Sequence, residues 1–178
     1  MRDECYKIAC EHGFHDEKLS ERHLLCLVIS ELMEAVEADR EARYANMKAF
    51  ERDRVLLLHQ EDAFFRNIKD TVEDELADAA IRILDLAGTT GDDIGEGFED
   101  VCKRAKEADN FLEDEFYRRE RFTESIYMIV DDIITAGCDI ALFDLFLLAD
   151  VMGFDLMEHI RLKMEYNKTR ERLHGKRY

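Results

Sequence analysis

Proline is absent from this sequence, glycine is scarce, and no low-complexity tract occurs. The 178 residues include eight glycines and no proline, and 47% of them are apolar against 38% charged. That composition is typical of a folded, helix-rich protein and excludes a largely disordered chain. The length suits one domain with a single core, so we expect residues 1–178 to form one domain.

Basic residues are also in short supply. Lysine and arginine number 25 against 42 aspartates and glutamates, which gives a formal net charge of −17. A field of that sign repels nucleic-acid phosphates, so duplex binding is not expected. A small phosphate ester could still bind where a divalent cation or a local basic cluster reverses the charge.

Long hydrophobic runs and processing signals are missing as well. No segment approaches 18 uninterrupted apolar residues, and the N-terminal stretch MRDECYKIACEHG carries acids where a signal peptide needs bases. The five cysteines form no CxxC motif, which favours reduced thiols. We therefore expect a soluble, cytoplasmic protein without a membrane partner.

Several catalytic signatures are absent too. The sequence has no GxGxxG stretch and no Walker loop, which argues against dinucleotide-binding and P-loop proteins. It also lacks the two Glu-x-x-His pairs that a di-iron helical bundle requires.

Helical periodicity recurs along the chain, whereas period-two alternation does not. The pattern predicts an all-α fold, a helical bundle of about six or seven helices. The predicted helices cover residues 2–12, 20–42, 67–87, 122–137, 139–154 and 155–173. Residues 43–66 are predicted as an irregular or partly helical excursion. The charged run 99–120, capped by Asp92 or Asp93, is predicted as a solvated helix face or a connector.

Two acidic pairs lie at the edges of two predicted core-facing helices. Glu31 and Glu34 are three residues apart in ISELMEAVEADR, and Glu75 and Asp78 repeat this spacing in VEDELADAAIRILDLAG. At about 100° per residue, each pair falls beside an apolar arc. Those arcs consist of Leu24, Leu25, Val28, Ile29, Leu32 and Val36 in the first helix, and of Ile68, Val72, Leu76, Ala79, Ala80, Ile83, Leu84 and Leu86 in the second. If the two helices pack antiparallel, the four carboxylates meet at one rim of the core.

Four carboxylates gathered in this way repel one another and need cations. At an effective dielectric of 20, each close pair costs roughly 3 kcal/mol. Oxygen-only ligands without a nearby histidine favour Mg²⁺, or Mn²⁺, over zinc. The alternative is that the acids are ordinary border residues in which Glu34 and Asp78 pair with a base such as Arg82.

The last predicted helix places four polar side chains within an arc of about 100°. They are Lys163, Tyr166, Asn167 and Arg170. Such a face could bind phosphates or a base. A basic helix end that complements the macrodipole is the competing interpretation.

The order of SELMEAVEADR, EDELADAAIRILDLAG and KMEYNKTR resembles the MazG-like superfamily of all-α nucleoside triphosphate pyrophosphohydrolases. The family signature is EExxE followed by ExxD. Glu31 and Glu34 match the last two acids of the first motif, and Glu75 and Asp78 match the second. Ser30 stands where the family usually has its first glutamate. The 40 residues between Glu34 and Glu75 exceed the spacing of many members, which suggests that 43–66 is an added substrate-contacting or interface element.

This resemblance implies a MazG-like fold and a Mg²⁺-dependent hydrolysis of a nucleoside triphosphate, NTP or dNTP, to a monophosphate and pyrophosphate. It assigns Glu31, Glu34, Glu75 and Asp78 to metal binding and catalysis. Lys163, Tyr166, Asn167 and Arg170 would bind substrate, with Lys163 and Arg170 stabilising charge on the leaving pyrophosphate.

The resemblance also implies a homodimer or homotetramer. The apolar segments 126–134 and 140–152 could supply its interface, although both also suit core helices. A non-catalytic helical protein that binds nucleotide or a partner is the alternative function.

Overall fold

The protein is an all-α helical bundle in the part of the chain that the structure describes. The computed structural model describes residues 1–56, 59–92, 94, 103, 117 and 120–175, and these contain no β-strand. Their helices are α1 (Arg2–Glu11), α2 (Glu21–Arg40), α3 (Met47–Leu56), α4 (Gln60–Asn67), α5 (Val72–Thr90), α6 (Phe122–Thr135), α7 (Cys138–Met152) and α8 (Leu156–Lys168), followed by a 3₁₀ turn at Arg172–Gly175. The predicted all-α class is confirmed. Asp93 and most of the charged run 99–120 lie outside the described residues.

Side-chain caps fix where the two acid-bearing helices begin. The Ser20 hydroxyl accepts a hydrogen bond from the His23 N–H, so α2 starts where the sequence predicted. The predicted start of α5 at residue 67 is wrong, because Asp70 adopts a left-handed φ of 61° that interrupts the helix. Thr71 then caps α5 by accepting from the Asp74 N–H.

The far end of α5 also differs from the prediction. The helix passes through Gly88 instead of stopping there, and it ends at Gly91, which adopts a left-handed φ of 78°. Gly88 lies where α1 approaches closely, since a Cβ atom at this position would stand 2.8 Å from the Tyr6 Cβ. The glycine therefore serves helix packing rather than helix termination.

Residues 43–66 hold two short helices, α3 and α4, which raises the described helix total above the predicted six or seven. They form a small apolar cluster separate from the main core, made of Phe50, Ala63, Phe64 and Ile68. Leu162 and Tyr166 of α8 pack against this cluster. Apolar contacts thus hold this segment against the bundle. Its two helices are too short to give a clear hydrophobic periodicity in the sequence.

Helix α5 lies at the centre of the bundle and contacts α1, α2, α7 and α8. Its predicted core residues from Val72 onward are buried, whereas Ile68 precedes the helix and belongs to the small cluster. The buried face of α2 comprises Leu24, Val28, Leu32, Ala35 and Ala38, while the predicted Leu25, Ile29 and Val36 are only half-buried. Burial of both faces places the border between α2 and α5, with its acids, at the edge of the main core. None of the described helices combines the length and apolar character needed to cross a bilayer.

The apolar segments near the C-terminal half contribute mainly to this core. Ile126, Ile129 and Ile133 of α6 are buried, as is most of α7. Two large apolar side chains on α6 point outward instead: Tyr127 is 67% exposed and Ile134 is 58% exposed. They lie seven positions apart, so they share one face of the helix.

Candidate metal centre

Helices α2 and α5 run in opposite directions along each other. The Arg82 Nε donates to Glu31 at 3.2 Å, whereas Glu34, farther along α2, lies near Glu75, which comes earlier on α5. One ligand oxygen each of Glu31, Glu34 and Glu75 falls within 4.8 Å of the other two. This set, called here the glutamate triad, joins three of the four predicted acids.

The triad sits at the boundary between protein and solvent. Glu31 and Glu75 are only 4% and 5% exposed, while Glu34 is open to solvent. The burial of two of these acids departs from the border positions that helical periodicity indicated. Repulsion within a solvated pair of carboxylates costs little free energy, but buried carboxylates have to be compensated by opposite charges or hydrogen bonds.

A second acidic group shares one member with the triad. Asp70, Asp74 and Glu75 also bring one oxygen each within 4.8 Å of one another. Asp70 lies in the exposed turn before α5, and its N–H donates to the Asp74 carboxylate at 2.9 Å. Glu75 therefore stands between two carboxylate groups.

Asp78, the fourth predicted acid, belongs to neither group among the described residues. Its carboxylate instead lies 2.8 Å from the Lys163 ammonium, which is also 2.8 Å from Asp74. Asp74 and Asp78 are one helical turn apart, so a single cation from α8 spans both. Sequence reasoning missed Asp74 as a participant, although its i, i+4 relation to Asp78 was a usable signal.

Electrostatics single out Glu75. Burial raises the pKa of its carboxyl to about 8, and the neighbouring Asp74 and Asp78 carboxylates add to the rise. No ion pair or hydrogen bond within the described residues holds this carboxylate. By contrast, Arg82 pairs with Glu31.

The lysine and aspartate opposite Glu75 balance each other. Burial raises the pKa of Asp74 to about 6, although the Lys163 charge opposes that rise. Burial lowers the pKa of Lys163, but Asp78 and Asp74 outweigh it, so the net shift is upward and the ammonium stays charged. Lys163 therefore pairs directly with Asp74 and Asp78, and its weaker effect on Glu75 does not offset burial and the neighbouring carboxylates.

A pocket opens beside the acids, between α1, α5 and α8. Its enclosed volume is about 50 Å³, and the space continues into solvent through an open mouth. Glu31 and Asp78 form its acidic wall, and its apolar lining includes Ile8 and Phe14. Arg82, Asn167 and Arg170 also line it.

Two features of this pocket suit a planar, polar ligand. The Arg82 guanidinium lies 5.1 Å above the Phe14 ring, which leaves an aromatic group at the pocket wall. Asn167 is 6% exposed, and its Oδ1 is buried without a hydrogen-bond partner. A buried amide oxygen without a partner is costly unless a ligand or water satisfies it.

The four predicted substrate residues do not share one face of the site. Lys163 is buried against Asp74 and Asp78, and Asn167 and Arg170 line the pocket. Tyr166 instead stacks on Phe64 with ring centroids 4.6 Å apart, next to a separate groove between α4 and α8. Helix α8 ends at Lys168, so Arg170 reaches the pocket from the segment beyond the helix.

The donor chemistry fits a cation. Both acidic groups offer carboxylate oxygens only, so these clusters could hold a metal ion. Comparison with protein-family models, with curated proteins and with solved structures finds no match for this chain. Function therefore has to be inferred from the chemistry of the site.

Proposed function

We propose that this protein is a Mg²⁺-dependent nucleoside triphosphate pyrophosphohydrolase with a MazG-like fold. The glutamate triad, with the partly open pocket beside it, carries the proposal. Oxygen-only donors favour Mg²⁺, with Mn²⁺ as a substitute. The resemblance of the acid motifs to the MazG-like superfamily supports the same reaction.

In this proposal, Glu31, Glu34 and Glu75 hold the ion. The Arg82 guanidinium donates to one oxygen of Glu31 and thereby orients this carboxylate. When bound, Mg²⁺ neutralises the triphosphate and polarises the oxygens around its α-phosphorus. Asp78 keeps a supporting position next to the triad through its contact with Lys163.

The nucleoside end of the substrate would lie at the open mouth of the pocket. The buried Asn167 amide offers a hydrogen bond to a base edge or sugar, and Arg82, which lies over the Phe14 ring, lines the same pocket. Arg170, from the same pocket, can contact the phosphates. The acidic wall formed by Glu31 and Asp78 then faces the α-phosphate.

The reaction is a displacement at phosphorus. A water oxygen forms the new bond to the α-phosphorus while the bond to the bridging α,β-oxygen breaks, and pyrophosphate leaves. One of the triad glutamates accepts the water proton. Arg170 is the pocket cation available to stabilise the charge that develops on pyrophosphate, whereas the predicted partner Lys163 is buried against Asp74 and Asp78.

Pyrophosphate release from a panel of ribo- and deoxyribonucleoside triphosphates, with Mg²⁺ present, tests this function. Glu34→Gln, Glu75→Gln and Asp78→Asn should each lower kcat/KM on the order of 100-fold or more, the scale of losing transition-state charge stabilisation. Glu37→Gln is the matched control, because Glu37 is an exposed acid one turn along α2 that pairs with Arg40. If the wild type releases no pyrophosphate from any of these substrates, the proposed catalysis is refuted.

Binding without turnover is the second candidate function. One observation favours it: Asp78 pairs with Lys163, so only three of the four acids that the motif resemblance assigns to the metal come together in the triad. In that case Mg²⁺ and nucleotide together should raise the melting temperature, beyond a NaCl control of equal ionic strength, while no pyrophosphate appears. A protein that shows neither effect is neither an enzyme nor a nucleotide-binding protein of this type.

A further inference from the structure

The two acidic groups that share Glu75 differ in one respect, the presence of a lysine. The glutamate triad has no lysine within it, whereas Asp74 of the second group lies 2.8 Å from the Lys163 ammonium. This ammonium is nearly inaccessible to solvent, since Lys163 is 3% exposed and Asp74 is 1% exposed. A positive charge is thus built into one side of the cluster.

Lys163 is positioned as a bound cation would be. Its nitrogen bridges Asp74 and Asp78 at equal distances of 2.8 Å, and these two carboxylates come from successive turns of α5. A divalent ion that used the same two oxygens would stand within a few ångströms of the ammonium, and their like charges would repel strongly. The Lys163 ammonium and a second divalent ion therefore cannot both bind these two carboxylates.

The second group nevertheless retains the ligands that an ion needs. Asp74 is buried, and its Oδ1 has no hydrogen-bond partner. Asp70 and Glu75 each supply an oxygen within 4.8 Å of an Asp74 oxygen. Removal of the lysine charge would leave a carboxylate set able to bind a cation in its place.

We infer that Lys163 serves as a permanent second cation, so that the protein binds a single divalent ion, at Glu31, Glu34 and Glu75. This inference rests on the proposed function only for the ion in the triad. It assigns Lys163 a positioning role: the ammonium holds Asp74 and Asp78 and neutralises charge that a second metal ion would otherwise neutralise. The site is then a one-metal site with a side-chain cation beside it.

Counting bound Mn²⁺ per chain tests the inference, by titration with electron paramagnetic resonance detection of free Mn²⁺. The wild type should bind one ion. Lys163→Met, which keeps the side-chain length and removes the charge, should bind two, and Asp74→Asn added to it should return the number to one. Lys168→Met is the matched control on the same helix, since Lys168 is exposed and pairs with Glu165, and it should leave the number at one.

A second set of variants covers the case in which Lys163→Met does not fold. Asp74→Asn in the wild-type background should keep the single ion, because Asp74 is not a ligand of it, whereas Glu75→Gln should lose it. Two ions on the wild type, one ion on a folded Lys163→Met, or loss of the ion in Asp74→Asn would each overturn the inference. Two ions together with pyrophosphate release would overturn it and leave the proposed function standing, while a wild type that binds no Mn²⁺ overturns both.

Discussion

Glu75 is the residue on which the two acidic groups converge. Its carboxyl is buried next to Asp74 and Asp78, and its pKa is raised to about 8. Arg82 and Lys163 compensate its neighbours instead. Most of the electrostatic cost of the cluster therefore falls on ionising this one group.

That cost predicts a pH dependence of stability in the metal-free protein. The pKa of Glu75 is about 8 in the folded state against 4.5 ordinarily, so the folded chain binds the extra proton between these values. Its stabilising contribution is complete below pH 4.5 and is lost as the pH rises through 8. The limiting slope is about 1.4 kcal/mol per pH unit.

Urea unfolding from pH 5 to 9 in the presence of a chelator measures this dependence. Glu75→Gln should flatten the profile and should be more stable than the wild type at pH 8. Glu37→Gln, exposed on α2, should follow the wild-type profile. Parallel profiles for the wild type and Glu75→Gln would contradict the assignment.

Among the elements, α1 and α5 meet at an unusually close point, Gly88. A Cβ atom there would stand 2.8 Å from the Tyr6 Cβ, which is a rigid part of the side chain. Alanine is the better helix former by about 1 kcal/mol. Propensity and packing thus make opposite predictions for the same substitution.

We expect packing to win, because α1 has to move away from α5 to make room. Gly88→Ala should destabilise the protein by about 1 to 3 kcal/mol in chemical denaturation, the usual cost of overpacking. Thr89→Ala is the control, since it adds helix propensity at an exposed neighbour and should change stability by no more than about 0.5 kcal/mol. If Gly88→Ala is more stable than the wild type, α1 moves away from α5 at little cost in free energy.

At the scale of the whole molecule, the predicted homodimer or homotetramer stays a prediction. Most of the apolar residues of α6 and α7 are used inside the bundle. Tyr127 and Ile134 form the outward apolar pair that remains on α6, and they are 67% and 58% exposed. Apolar side chains exposed together on one helix face are suited to contact with a second copy.

Light scattering after gel filtration checks this expectation. The wild type should elute at a multiple of the monomer mass, and Ile134→Asp should shift it toward the monomer, because the interface would have to bury an unpaired charge. Val55→Asp is the control, as Val55 is 80% exposed on α3, away from this pair. A monomeric wild type would refute the oligomer, and dissociation by Val55→Asp alone would move the interface to α3.

The sequence by itself determined the helical class, the core face of α5 from Val72 onward and the Leu24, Val28 and Leu32 part of the α2 core. It also identified the two acid pairs, although it placed Glu31 and Glu75 at the border rather than in the interior. These are local properties, since hydrophobic periodicity and cap residues such as Ser20 act over one or two helical turns. The same locality explains the errors. The left-handed Asp70 and the continuation of α5 past Gly88 depend on contacts with other segments, so periodicity placed both helix ends wrongly.

Only the tertiary structure decided how the acids are grouped and compensated. Lys163 and Asp74 are 89 positions apart, and no spacing rule relates residues on different helices. The rotation and register of α8 against α5 place Lys163 between Asp74 and Asp78. The same packing places Tyr166 against Phe64, at the groove between α4 and α8. Charge interactions act through space rather than along the chain. The two acid pairs of the sequence therefore contribute to a glutamate triad on one side and to a lysine-bridged pair, Asp74 and Asp78, on the other.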